Sequence, residues 1–121
     1  MKNPNHRQVV VATVNNIIVG YGRIKYCGEG HYSYPGPLGW YLMGLKVAPE
    51  FRKRGIGTKL TEYRLDWIKK RAEEVFYVTN STNAASILLH KELGFHEVER
   101  AKGFMNIDFP DDEGILFFKK F

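Results

Sequence analysis

Apolar and polar residues alternate from Gln8 to Val14 in a valine-rich stretch, which predicts a half-buried strand, and Ile17 to Tyr26 resumes the same period of two. Asn15-Asn16 lies between them. Asparagine tolerates the left-handed backbone of a tight turn, so the two strands are expected to form a hairpin. Gly28 to Gly39 loses the period, and its Gly, Pro, Ser and Tyr residues, with Pro35 and Pro37, predict an exposed connection between antiparallel strands. Trp40 to Val47 returns to strand, and Pro49 stops it because proline offers no ladder donor.

From Gly57 the period becomes helical. Leu60, Tyr63 and Trp67, flanked by Leu65, Ile68 and Ala72, predict a helix with one buried stripe and its aromatic members in the core. Val75 to Val78 is a short apolar run suited to an interior strand. Ser81 to Asn83 can cap a second helix, which carries Ala84, Ala85, Ile87, Leu88 and Leu93 and ends at Gly94. Phe95 to Ala101 and Gly114 to Phe121 predict two final strands. This order implies an α/β chain in which a mixed sheet carries helices on its faces, with a right-handed crossover from Tyr41 to Val78. Ligands of such units sit at the carboxyl ends of the parallel strands.

A length of 121 residues with 44% hydrophobic content predicts a single domain over residues 1–121. No apolar run is long enough for a signal peptide or a membrane span, so the expectation is a soluble, cytoplasmic protein with no membrane partner. Cys27 is the only cysteine, which excludes an internal disulfide and leaves too few thiolates for structural zinc; no metal is expected. Eighteen basic against thirteen acidic residues give a net charge of +5. That balance suits nucleic acid or any phosphorylated ligand, but the interleaved aromatic and basic residues of nucleic-acid modules are missing, so nucleic acid is an unfavoured partner.

The strongest chemical signal is Arg52-Lys53-Arg54-Gly55-Ile56-Gly57-Thr58, set between a strand and a helix. Gly55 and Gly57 let the backbone turn tightly so that successive amides converge on one anion, and the helix adds its positive end. Read alone, the same turn also serves as a plain strand-to-helix connection. A nucleotide-triphosphate loop needs Gly-Lys-Ser/Thr, whereas Gly57 is followed by Thr58 and Lys59. A dinucleotide fingerprint needs a third glycine where this chain has Leu60.

Val47-x-Pro49-x-x-Arg52-x-x-Gly55-x-Gly57, followed by Asn83 and by Leu93-Gly94-Phe95, resembles the GNAT superfamily of acetyl-CoA-dependent N-acetyltransferases. The resemblance spans roughly Gln8 to Phe121. It implies a mixed, mainly antiparallel sheet flanked by helices, with the usual N-terminal strand and helices apparently missing. It further implies that the backbone amides of Arg54, Gly55, Ile56, Gly57 and Thr58 hold the pyrophosphate of acetyl-CoA, with charge from Arg52, Lys53 or Arg54. Leu45 and Val47 would pair with the pantetheine arm, and Asn83 would reach that arm or act as a helix cap. The Leu45 amide would face the oxyanion.

Two departures carry chemistry. Where the family often has a tyrosine proton donor, seven residues after the asparagine, this chain has His90, either a general acid or a helix-surface residue. The central strand, Trp40 to Leu45, has no carboxylate, so the general base is unassigned; Asp108, Asp111, Asp112 and Glu113 are candidates or simply a charged turn. The short N-terminal part leaves apolar sheet uncovered and favours a homodimer, a fragment or an open acceptor cleft. The expected reaction moves acetyl from acetyl-CoA to a primary amine of a small molecule by direct attack, the acceptor resembling an aminoglycoside or a polyamine. The alternative is a catalytically degenerate CoA-binding domain or partner subunit.

Overall fold

The computed structural model describes residues 6–121. Two strands, β1 (Arg7–Val14) and β2 (Ile17–Cys27), form the expected hairpin. Its turn closes because Asn15 and Asn16 both adopt positive φ, at 51° and 66°. After an irregular connection come β3 (Gly39–Val47), a single 3-10 turn at Pro49–Phe51 and α1 (Ile56–Lys69). β4 (Glu74–Asn80), α2 (Ala84–Glu92) and β5 (His96–Ala101) follow, then the short strands β6 (Gly103–Phe104) and β7 (Ile107–Asp108), and finally β8 (Gly114–Lys120).

The six long strands form one sheet in the order β1-β2-β3-β4-β8-β5. All neighbours are antiparallel except β3 and β4, which run parallel. Parallel neighbours need a crossover, and α1 supplies it. Alternation along the strands builds two cores. Trp40, Leu42, Val75, Ile115 and Phe117 face Leu65 and Ile68 of α1, with Ile87 and Leu93 of the α2 segment beside them. Tyr41, Phe76 and Leu116 face the other way and are covered by Cys27, Phe104 and Met105. The mixed, mainly antiparallel sheet flanked by helices is as expected; both helices pack on one face, and loops with the small β6–β7 hairpin cover the other.

Two expectations for the helices are corrected. In α1 the buried stripe is Leu60, Thr61, Arg64, Leu65 and Ile68, and Tyr63 is 62% exposed, not a core residue. The helical period was right but its phase was not, because a hydrophobicity pattern cannot credit an arginine to the inner face. In α2 the buried residue is His90, while Leu88 stands 60% exposed. The edge strand β1 and the outer side of α1 also leave Val9, Val11 and Tyr63 along a groove of about 670 Å³.

Candidate active site

Register between β3 and β4 holds at only two positions, Tyr41 with Phe76 and Leu42 with Tyr77. Beyond them the strands part, and facing backbone groups lose their ladder partners to a cleft of about 920 Å³. Leu45 and Val47 line one wall, Thr79 and Asn80 the other, and Asn83 and Ser86 of α2 close one side. Arg23, Lys46 and Arg52 also face this space.

A bulge explains why β3 turns aside. Gly22 pairs with Leu45 and Arg23 with Met43, so Gly44 is an extra residue on β3. Arg64 holds this bulge from behind. Its guanidinium, 1% exposed, donates from Nη1 to the carbonyls of Met43 at 2.9 Å and Arg23 at 3.0 Å. Nε donates to Leu60 O at 3.2 Å and Nη2 to Thr61 Oγ1 at 3.1 Å, while the Thr61 hydroxyl donates to Gly57 O at 2.8 Å. One hydrogen-bonded chain thus joins the glycine loop to the carbonyl beside the bulge. Only a residue without Cβ fits at position 22, since a Cβ there would stand 2.7 Å from Arg64 Nε. Burial pulls the Arg64 pKa down to about 10, so it stays charged at neutral pH.

The loop itself has the form of an anion cradle. Gly55 caps α1 at φ 80° with no side-chain hydrogen bond, and a Cβ added there would meet nothing within 4 Å. Lys59 N–H is the donor that returns to Gly55 O, so the amides of Ile56, Gly57 and Thr58 precede the helical ladder. Gly57 lies against Leu45, 3.6 Å from its Cδ2 if a Cβ is built. Arg52 lines the cleft but folds back to donate from Nε to Val47 O at 3.0 Å. Lys53 adopts positive φ and is exposed, and the Arg54 guanidinium lies 5.1 Å from the Phe51 ring centroid. Asn83 is the N-cap of α2, its Oδ1 accepting from Ser86 N–H at 3.2 Å, and it also lines the cleft. The cap is thus observed, and it leaves the residue on the cleft wall.

His90 does not open on the cleft. It is 1% exposed, stacked on Tyr77 at 3.6 Å between centroids and edge-on to Phe95. Nδ1–H donates to Ser86 O at 2.8 Å, which fixes the tautomer and leaves Nε2 buried without a partner among the described residues. Burial pushes its pKa down to about 4, so the ring is neutral near pH 7. Tyr77, Thr79 and Ser86 bring hydroxyls to the cleft, and those of Tyr77 and Ser86 are hydrogen-bonded to each other. Neither stood out in the sequence, where Tyr77 read as core and Ser86 as plain helix. Of the acidic candidates, Asp108 accepts from Tyr34 and Asp112 accepts from Asn80 Nδ2 at 3.0 Å; none of the four lines the cleft.

The model of the acetyltransferase (GNAT) family matches residues 1–95. The chain belongs to this family. Among curated GNAT relatives, an N-alpha-acetyltransferase of Saccharolobus solfataricus is 30% identical over 99 residues, covering 78% of this chain and 59% of that one. The [ribosomal protein bS18]-alanine N-acetyltransferase of Escherichia coli K12 is 28% identical over 74 residues, 60% of this chain and 47% of its own. This GNAT chain therefore matches about half the length of those relatives. Solved structures agree on the fold. The Escherichia coli ribosomal-protein-S18-alanine N-acetyltransferase superposes with a TM-score of 0.75 at 18% identity, over 98% of this chain and 71% of that one. Arabidopsis thaliana Naa50, in complex with the bisubstrate analogue CoA-Ac-MVNAL, gives 0.73 at 24% identity, over 93% and 72%.

Proposed function

We propose that the chain transfers the acetyl group of acetyl-CoA to the α-amine at the N-terminus of a protein or peptide. One observation carries the choice of acceptor. The described residues lining the cleft include three cations, Arg23, Lys46 and Arg52, and neither a carboxylate nor an imidazole. Such a site cannot readily strip a proton from an ammonium. An α-amine, with a pKa near ~8, is neutral in a substantial fraction at neutral pH, whereas an alkyl amine near ~10 is almost wholly protonated. The cations also oppose a polycationic acceptor, which makes the polyamine or aminoglycoside of the sequence reading the second choice. Both curated relatives described above carry N-terminal or α-amine acetylation in their names, in line with this reading.

In this mechanism the amides of Ile56, Gly57 and Thr58 grip the pyrophosphate, and the freed edge of β3 at Leu45 and Val47 holds the pantetheine arm, with Asn83 beside it. The Leu45 amide, turned by the bulge, donates to the oxyanion that forms as the amine attacks the thioester carbon. As the C–S bond breaks, the Tyr77–Ser86 hydroxyl pair gives a proton to the departing thiolate and regains one from the nitrogen that has attacked, a relay His90 is too buried and too weakly basic to take. His90 positions Tyr77 by stacking. The homodimer expected from sequence remains a proposal resting on the exposed Val9, Val11 and Tyr63, to be read by sedimentation equilibrium.

The test is a competition among amines, with release of the free CoA thiol as the signal. A peptide with a free α-amine and no lysine should turn over at neutral pH at least about tenfold faster in kcat/KM than spermidine or an amino sugar. The reverse order would overturn the choice of acceptor. Binding of acetyl-CoA without turnover of any amine would instead favour the degenerate CoA-binding domain.

A further inference from the structure

The loop-covered face of the sheet is open at its β1–β2 end, and the polar residues presented there are cations. Side chains of paired residues point to the same face, so the register puts Arg7, Lys25 and Tyr41 in one row and Val9, Arg23 and Met43 in the next. Phe104 and Met105 cover Tyr41, while Arg7, Val9 and Arg23 remain exposed and Lys25 is half-buried. Burial raises the Cys27 thiol pKa and the charges of Lys25 and Arg7 oppose the rise, which places both cations near that residue of the same face. The Arg23 guanidinium turns onto the bulge, where a Cβ on Gly44 would stand 2.7 Å from its Nη2. No acidic residue occurs from 7 to 28 or from 39 to 48, and among the described residues none of the three cations enters an ion pair.

We propose that Arg7, Arg23 and Lys25 hold the chain that follows the acceptor's α-amine, and that they select acceptors with aspartate or glutamate among their second to fourth residues. The inference rests on the α-amine reading above and deepens it. With the α-nitrogen attacking beside Leu45, a chain that runs on along β3 towards Tyr41 meets Arg23 beside Met43 first, then Lys25 and Arg7. Arg23 and Lys25 are ~7 Å apart along β2, which is also the interval between same-side side chains of an extended peptide. The phosphates of acetyl-CoA do not compete for these charges. Val47, whose carbonyl Arg52 of the glycine loop reaches, lies about 20 Å along β3 from Tyr41, the partner of Lys25. Each exposed charge pair is weak alone, but three cations facing one segment attract an acidic chain and repel a basic one.

The experiment uses the full chain, acetyl-CoA and lysine-free pentapeptides with a common first residue, whose next three residues are all aspartate, all serine or all arginine, read as kcat/KM. The aspartate peptide should exceed the serine peptide by about fivefold to tenfold at ~0.01 M salt, and the arginine peptide should fall below both. Raising the salt to ~1 M shortens the screening length from ~30 Å to ~3 Å and should draw the three together. Arg7→Glu, Arg23→Glu and Lys25→Glu in one chain should invert the order, an outcome that loss of the fold cannot produce. Equal use of the three peptides at low salt, or an unchanged order in the substituted chain, would overturn the inference and leave the α-amine reading intact. Inhibition by a single-stranded RNA oligonucleotide with no ranking among the peptides would overturn it in favour of a nucleic-acid surface. Turnover confined to polyamines or amino sugars would overturn the α-amine reading and this inference with it.

Discussion

Arg64 is the residue on which the site's shape depends most, and it is the one whose role was least visible in the sequence. Its charge meets carbonyl and hydroxyl oxygens alone, since the ion pair formed among the described residues is Glu97–Arg100 on the surface. Replacing it by methionine leaves the carbonyls of Met43 and Arg23 without their donors, at about 1–3 kcal/mol for each buried group. The bulge should relax, and because a misplacement of ~1 Å can lower a rate by about a hundredfold, kcat should fall towards that extent while acetyl-CoA still binds. Steady-state kinetics beside calorimetric titration reads the difference; an unchanged kcat would remove Arg64 from the account.

His90 offers a test of a different kind. Its folded pKa of about 4 lies below the ordinary value of 6.5, so between these pH values the unfolded chain binds a proton that the native one does not. Stability is therefore present above pH ~6.5 and lost as the pH falls towards 4, by roughly 3 kcal/mol in full. His90→Phe keeps the stack on Tyr77 and removes the titration. Urea midpoints across that window should flatten in the variant; a slope equal to that of the parent would contradict the burial argument. The sequence placed this residue correctly, seven positions after Asn83, but spacing along a helix does not tell which way a side chain turns relative to a cleft.

Elements were easier to foresee than their partnerships. The hairpin at Asn15-Asn16, the strand ended by Pro49, the helix opened by Gly55 and the second helix capped by Asn83 all follow from local chemistry, and all are present. The bulge at Gly44 follows from nothing local. It shows only in the register with β2, which shifts between Gly22 and Arg23, and the glycine admits it without announcing it. The β6–β7 hairpin was missed because its strands are two residues each, too short for any period to register. At this scale the glycine loop makes the sharpest prediction. Gly55→Ala forces a Cβ into a left-handed conformation at about 1–2 kcal/mol, with open space around it, so the loop should shift while the fold persists. Acetyl-CoA affinity should drop by about tenfold, with the melting temperature lowered by only about 3–10 °C. Equal affinity would mean that the loop does not hold the phosphates.

At the scale of the whole molecule, the parting of β3 from β4 divides the labour of the two faces. The helix-bearing face carries the uncapped amides of α1, outside the cleft lining but with Gly57 against Leu45 of its wall, and the loop-covered face carries a smaller cavity that shares Met43 and Ile107 with the cleft. The strand–turn–helix unit around Gly55-x-Gly57 was legible in the sequence, although the turn alone also serves as a plain connection and points to a donor only together with Asn83 and Gly94-Phe95. The parting of β3 from β4 was not, because the pairing of strands far apart in the chain leaves no local mark. The absence of a carboxylate from Trp40 to Leu45 was noticed in the sequence as a missing base. In the structure it becomes a reason to favour an acceptor that arrives already neutral.

Which nitrogen receives the acetyl group is read by locating the new bond. A peptide bearing both a free α-amine and a lysine is incubated with the chain and acetyl-CoA and sequenced by fragmentation mass spectrometry. The expected product carries one acetyl group on the α-nitrogen and an unmodified lysine. Acetylation of the lysine in preference, or acetyl-CoA binding with no acetyl transfer to either nitrogen, would contradict the α-amine reading.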